Sequence, residues 1–217
     1  MKNVLAIGAH PDDIEFGCGG TIIKHHLNGD KVHYLCMTSG ESIDGVTGKV
    51  LRTSEEHEDE IAKAIQFLGC NSITRATFKD LHVPFSFQSV NVIEKIIKDK
   101  NIDTIYTHWA GDANQDHIST FKSTMAAARY VPNVFCYEQI PVPRMSENQI
   151  DMNYYVDISK TFDLKIKASL CHKSQIVKYK NHGFDVKENL TTLAEFRGIQ
   201  ASCKYAEAFK IIKTIWK

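Results

Sequence analysis

Short apolar runs that end in glycine or in polar clusters alternate along this chain with segments of helical spacing, and no other feature restricts the fold as much. Asn3–Gly8, Lys31–Met37, Ser72–Phe78, Asp103–His108 and Val134–Gln139 read as strands. Between and after them, helical spacing marks Thr21–Asn28, Thr53–Leu68, Ser89–Lys100, Ile118–Tyr130 and Phe162–Lys178. Gly69 stops the second of these, and Ser89 or Asn91 caps the third. The Ser-, Gly- and Thr-rich stretch Thr38–Lys49 reads as a loop, and Asp151–Ile158 as an extended piece. Strand–helix alternation at this spacing predicts an α/β fold: a single Rossmann-like domain over residues 1–217, with a mainly parallel sheet flanked by helices. A chain of 217 residues suits one domain with a full core.

Charge and cysteine usage narrow the function classes. Lys+Arg and Asp+Glu are equal at 26 each, so no global charge draws the protein to nucleic acid or an anionic membrane. The apolar stretch Val4–Ala9 is too short for the core of a signal peptide, and no window approaches a membrane span. Cys18, Cys36, Cys70, Cys136, Cys171 and Cys203 show no C-x-x-C spacing and read as reduced thiols, so the expected location is cytoplasmic.

In sheets of this kind, ligands bind beyond the carboxyl ends of the strands. The first strand ends in Ala9-His10-Pro11-Asp12-Asp13, followed by Glu15, a His and carboxylates on a turn stiffened by proline. The fourth ends in His108-Trp109-Ala110-Gly111-Asp112-Ala113-Asn114-Gln115-Asp116-His117. Alone, the first cluster would also serve as a capped helix entry, and His117 as an ordinary first-turn residue. Together at two strand ends they read better as a metal site: His10, one of the two Asp residues and His117 give the two imidazoles and one carboxylate of a catalytic zinc centre. The same donors suit ferrous iron or another divalent metal. The remaining carboxylate is then placed to act as general base in amide hydrolysis. The glycines at Gly17, Gly19 and Gly20 lack the full dinucleotide-binding order and read as close helix–sheet packing.

The run Val4-Leu5-Ala6-Ile7-Gly8-Ala9-His10-Pro11-Asp12-Asp13-Ile14-Glu15-Phe16-Gly17-Cys18-Gly19-Gly20-Thr21-Ile22 resembles the PIG-L (LmbE-like) family of metal-dependent N-deacetylases. Thr38-Ser39-Gly40-Glu41 and Gln115-Asp116-His117 extend the likeness, and Lys173-Ser174-Gln175 and Tyr205-Ala206-Glu207-Ala208-Phe209 do so more faintly. The resemblance implies that His10, Asp13 and His117 hold the metal, zinc above all, and that Asp12 is the general base. It implies that Arg52 and Asp80, with Glu41, contact the polar part of an amino-sugar substrate carrying an N-acetyl group. It also implies a symmetric homo-oligomer. One departure stands out: where the family commonly has a His three residues before the second metal His, this chain has Asn114. An amide can donate to an oxyanion but cannot deliver a proton. Asp12 is therefore expected to act as base and then acid with Asn114 as oxyanion donor, unless His108, His82 or His172 moves in. The rival readings are an amidase for a larger acyl group, with its pocket set by Thr38–Lys49 and Val142–Tyr154, and a non-catalytic metal- or sugar-binding protein.

Overall fold

A computed structural model describes residues 1–40, 42–43, 50–140 and 150–215. Its main sheet runs through strands β1 (Asn3–Gly8), β2 (Lys31–Thr38), β5 (Ser72–Phe78), β6 (Thr104–Thr107), β7 (Asn133–Tyr137), β8 (Tyr154–Asp157) and β9 (Ala206–Lys213), in the spatial order β5-β2-β1-β6-β7-β9-β8. The first five of these in space are parallel, while β9 runs antiparallel to both β7 and β8. A small hairpin of β3 (Ser42–Ile43) and β4 (Val50–Arg52) stands apart, partly inside the segment that reads as a loop.

Burial explains the strand sequences. In β1, every residue after Asn3 is buried, because a central parallel strand is covered on both faces. Its side chains alternate: Val4 and Ala6 join one core with Tyr34, Phe135 and Phe209, while Leu5 and Ile7 join the other with Leu35, Ile93 and Ile105. Helices α1 (Asp13–Leu27), α2 (Ser54–Leu68) and α5 (Phe162–Ser169) pack together on one side, and α3 (Phe87–Lys100) packs on α4 (Gln115–Ala127) on the other. The result is the single α/β domain read from the alternation, in three layers. Among the described residues, no helix is long and apolar enough to cross a membrane.

Several boundaries differ from the sequence expectation. Helix α1 begins at Asp13 and is interrupted at Cys18, whose backbone leaves helical geometry at φ −143° and ψ 16°. The backbone groups around this break are not left orphaned. Glu207 accepts from the amides of Gly20 and Thr21 at 2.9 and 2.7 Å, and Lys165 donates to the carbonyl of Phe16 at 2.8 Å and to Glu207 at 2.6 Å. Gly17 lies flat on the Tyr137 ring, where an added Cβ would stand 2.3 Å from a ring carbon. At Gly20 a Cβ would stand 2.9 Å from Ile158, so Gly17 and Gly20 serve close packing, whereas at Gly19 it would meet only ordinary contacts from 3.5 Å. Helix α3 starts two residues earlier than expected because Ser86, not Ser89 or Asn91, caps it in a reciprocal box with Ser89. The long final helix is two, α5 and α6 (Lys173–Asn181), broken where His172 turns into the interior. Helix α7 (Val186–Ala201) and β9 complete the chain.

Candidate active site

The register of the sheet brings the two polar clusters together. β1 lies between β2 and β6, so the chain reverses its direction of growth there, and both clusters leave the carboxyl ends of adjacent strands. The amide of Ala9 donates to His108 Nε2 at 2.9 Å, tying one strand end to the other.

Asp12 holds a left-handed backbone at φ 102°, a conformation costly for any residue with a Cβ. It occupies the cap position of α1 but makes no side-chain cap bond, so the capped-turn alternative does not describe it. Its carboxyl is buried, and its Oδ2 meets no hydrogen-bond partner among the described residues. Burial and the charge of Asp13 push its pKa up to about 7, against the opposing pull of His172, Arg52 and His10. A carboxylate with that value can both take and return a proton near neutral pH.

Beside it, His10 Nδ1 lies 3.2 Å from His117 Nε2, Asp13 Oδ1 lies 3.4 Å from His117 Nε2, and Asp13 Oδ2 lies 3.5 Å from His10 Nδ1. Two donors held on one tetrahedral zinc at about 2.0–2.1 Å stand about 3.3 Å apart, so this set has the spacing and the donor chemistry of such an ion. The surrounding groups aim it. Asp112 Oδ2 engages His117 Nδ1 at 2.9 Å, leaving Nε2 to face inward. Asp116 and Asp80 each lie 3.1 Å from His10 Nε2. Asp116 also accepts from the amides of Leu81 and Val83, which pins the loop carrying Asp80. Gln139 donates to Asp13 Oδ1 at 2.7 Å.

Electrostatics follow from this packing. Burial disfavours a charge on His117, but Asp13 and Asp112 raise its pKa to about 9. His10 is likewise raised well above its usual value against the cost of burial, by Asp116, Asp13 and Asp80. Burial also opposes ionisation of Asp13, yet His117 and His108 hold its carboxyl well below the usual range. His108 stacks on His117 with ring centroids 3.9 Å apart, and burial with the charge of His117 lowers its pKa to about 4, so it stays neutral. A field this negative, around two facing imidazole nitrogens, favours a cation at their meeting point.

The other predicted residues divide. Asn114 caps α4, its Oδ1 accepting from the amide of Asp116 at 2.8 Å, which leaves the NH2 end of the same side chain as the donor. Arg52 is only 3 % exposed, which excludes a solvated helix entry. It donates to the carbonyl of Gly40 at 2.9 Å, and its Nη1 reaches Ser174 at 3.3 Å and Glu60 at 3.4 Å. Asp80 reaches the site through His10, whereas His82 is exposed and its ring lies against the backbone carbonyl of Asp80. Glu41 lies outside the described residues, as do most of the two loops expected to set pocket size. Sequence reasoning missed Asp112 and Gln139 as supports of the three-donor set. Asp112 was visible within the second cluster, while nothing local marks Gln139.

Gly40 is fixed by this network. It has φ +84°, and an added Cβ would stand 1.9 Å from the His57 ring. Gly40→Ala is therefore expected to destabilise the protein by about 1–3 kcal/mol through overpacking alone, and to loosen Arg52. Urea denaturation checks the first effect, and a raised KM for substrate checks the second.

Comparisons with known proteins agree with this geometry. The profile of the PIG-L family (GlcNAc-PI de-N-acetylase) matches residues 5–128, more than half of the chain. The uncharacterized deacetylase YaiS of Escherichia coli (strain K12) is 34% identical over 143 residues, 63% of this chain and 74% of that protein. The diacetylchitobiose deacetylase of Thermococcus kodakarensis is 26% identical over an alignment covering 100% of this chain and 85% of the relative. Among solved structures, the conserved protein TT1542 from Thermus thermophilus superposes with a TM-score of 0.80, covering 100% of this chain and 97% of that one at 23% identity, a likeness of fold. With the family's motif residues gathered at one point of a shared fold, the chain belongs to the PIG-L family of de-N-acetylases.

Proposed function

We propose that this protein is a zinc-dependent hydrolase that removes the N-acetyl group from an amino-sugar-containing small molecule. One observation carries the reading: His10, Asp13 and His117 present donor atoms that all lie within 4.8 Å of one another, next in sequence to buried Asp12, whose Oδ2 has no hydrogen-bond partner among the described residues. The family membership and the diacetylchitobiose deacetylase relative support it.

His10, Asp13 and His117 would hold the metal, and when bound it would supply Lewis acidity and lower the pKa of a water molecule. The remaining chemistry belongs to the chain. Asp12 Oδ2 takes a proton from the attacking water as the new C–O bond forms at the acetyl carbon. The Asn114 NH2 donates to the oxygen on which negative charge develops. As the C–N bond breaks, Asp12 returns its proton to the leaving nitrogen, so that acetate and a free amine result. Arg52 and Asp80 orient the hydroxyls of the sugar. A protein that only bound sugar would have no use for the strained backbone and buried charge of Asp12.

Asn114→Asp separates capping from catalysis, since it keeps an oxygen for the α4 cap and loses the donor. It is expected to lower kcat by about 100-fold, the cost of one oxyanion donor, with thermal stability nearly unchanged. The assignment itself is tested with zinc-loaded protein on glucosamine derivatives carrying N-acetyl or N-butyryl groups. Fastest release from the acetyl compounds is expected. Preference for the larger acyl group would overturn the acetyl assignment, and no release from any would overturn the hydrolase.

A further inference from the structure

Lys173-Ser174-Gln175 opens α6, and the chemistry above gives it no part. The N-cap of α6, His172, makes no side-chain cap bond. Glu60 of α2 does that work from outside: its Oε1 accepts from the amide of Ser174 at 2.8 Å, and its Oε2 accepts from the Ser174 hydroxyl at 2.8 Å. A hydroxyl has one proton to give, so with that proton on Glu60 the lone pairs of Ser174 Oγ are left to accept. Arg52 Nη1 uses them at 3.3 Å and meets Glu60 Oε2 at 3.4 Å, while Arg52 Nε donates to the carbonyl of Gly40 at 2.9 Å. The guanidinium is thereby held through Nε and Nη1. Among the described residues, no hydrogen bond uses its Nη2.

The pairing is loose for a buried cation. Glu138 takes Arg197 through two bonds of 2.7 and 2.8 Å, and Lys165 lies 2.6 Å from Glu207. Charge-assisted bonds of this kind are usually about 2.7–2.9 Å long. Arg52 is as buried as Lys165, yet Glu60 stands 3.4 Å away and spends its shorter bonds on Ser174. A buried charge compensated this little is costly unless another group completes it. The backbone places that charge at the site. The amide of Thr38 binds the carbonyl of Ala9 at 3.0 Å, beside His10, and the amide of Ser39 binds the carbonyl of Phe78 at 2.9 Å, two residues before Asp80. Gly40, which takes Arg52 Nε, comes next. Arg52 is thus anchored at the end of β2, the strand between those that carry His10 and Asp80.

Resting on the hydrolase reading above, we propose that Ser174 and Glu60 are positioning residues for substrate binding: they hold Arg52 so that its Nη2 edge meets an oxygen of the substrate's sugar. Neither touches the substrate. Ser174 fixes Nη1, and Glu60 fixes Ser174 and supplies the balancing charge. Without Glu60, the Ser174 hydroxyl would be free to turn its proton toward Arg52, setting donor against donor.

The test uses zinc-loaded protein and the N-acetylated glucosamine derivative it turns over fastest. Arg52→Ala should raise KM by about 10-fold to 100-fold, the cost of hydrogen bonds to a charged group. Ser174→Ala and Glu60→Gln should each raise KM by about threefold to tenfold, with kcat within about twofold and zinc content unchanged. Ser174→Thr, which keeps the hydroxyl, should bring KM back to near the wild-type value. In an Arg52→Ala background, Ser174→Ala should change KM no further, because the serine acts through the arginine. A merely structural role would lower Tm alike in both backgrounds and show no such coupling. A readout independent of turnover is the Arg52 guanidinium in 15N NMR: its Nη signals should be distinct in wild type and merge in Ser174→Ala or Glu60→Gln as rotation is freed. Where Ser174→Ala fails to fold, Glu60→Gln carries the same comparison. The proposal is overturned if KM keeps its wild-type value in Arg52→Ala, or in both Ser174→Ala and Glu60→Gln, or if Ser174→Ala raises KM equally with and without Arg52. An inactive wild type would instead overturn the hydrolase reading, and the positioning role with it.

Discussion

Asp12→Asn should lower hydrolysis of an N-acetylated amino sugar by about 10²–10⁴-fold while the protein keeps its metal. The amide preserves the shape of the side chain and the buried volume, but it can neither take a proton from water nor hand one to the leaving nitrogen. Because Asp12 already sits in a strained left-handed backbone, and its Oδ2 has no partner to lose among the described residues, the substitution removes repulsion from Asp13 and breaks none of their bonds to that oxygen. Stability should therefore hold or rise as activity falls, the pattern of a site that retains strain for function. Thermal unfolding, metal analysis and turnover measured on one preparation check all three parts. An Asp12→Asn protein with wild-type turnover would remove Asp12 from the chemistry.

The second large effect is expected on metal binding. His117→Ala removes a donor and should weaken zinc affinity by more than the roughly 10–100-fold expected of Asp112→Asn, which removes only the carboxylate orienting the ring. The pH dependence follows from proton competition. Without metal, His117 has a pKa of about 9, so at pH 7 it carries a proton that must leave when a cation binds. Zinc affinity should accordingly rise with pH between about 6 and 8, and binding should release protons. Calorimetry in buffers of different ionisation heat reads that release directly. In His117→Ala, fewer protons should be released.

Much of this was legible in the residues. The alternation of apolar runs with helical segments led to the parallel sheet, and the strand ends pointed to His10, Asp12, Asp13 and His117, which the sheet register then places side by side. What stayed hidden was of two kinds. Helical spacing continues across Leu170–His172, so nothing local announces the break; it is imposed by the burial of His172 against Glu15, a residue far away in sequence. Strand β9 was equally obscure, because its buried residues include small alanines and the charged Glu207, which belongs to the interior only because Lys165 and the broken turn of α1 need it. Asn114 was legible as a departure from the family pattern, but its use of one end as a helix cap emerges only from the start of α4.

The most direct measurement is a zinc titration of metal-free protein, with acetate and free amine from an N-acetylated amino sugar followed at each step. The account predicts that both products appear in equal amounts and that the rate climbs linearly to a break at about one zinc per chain, as a single three-donor site requires. Hydrolysis that proceeds unchanged without zinc, or a fully loaded protein that releases neither product, would contradict it.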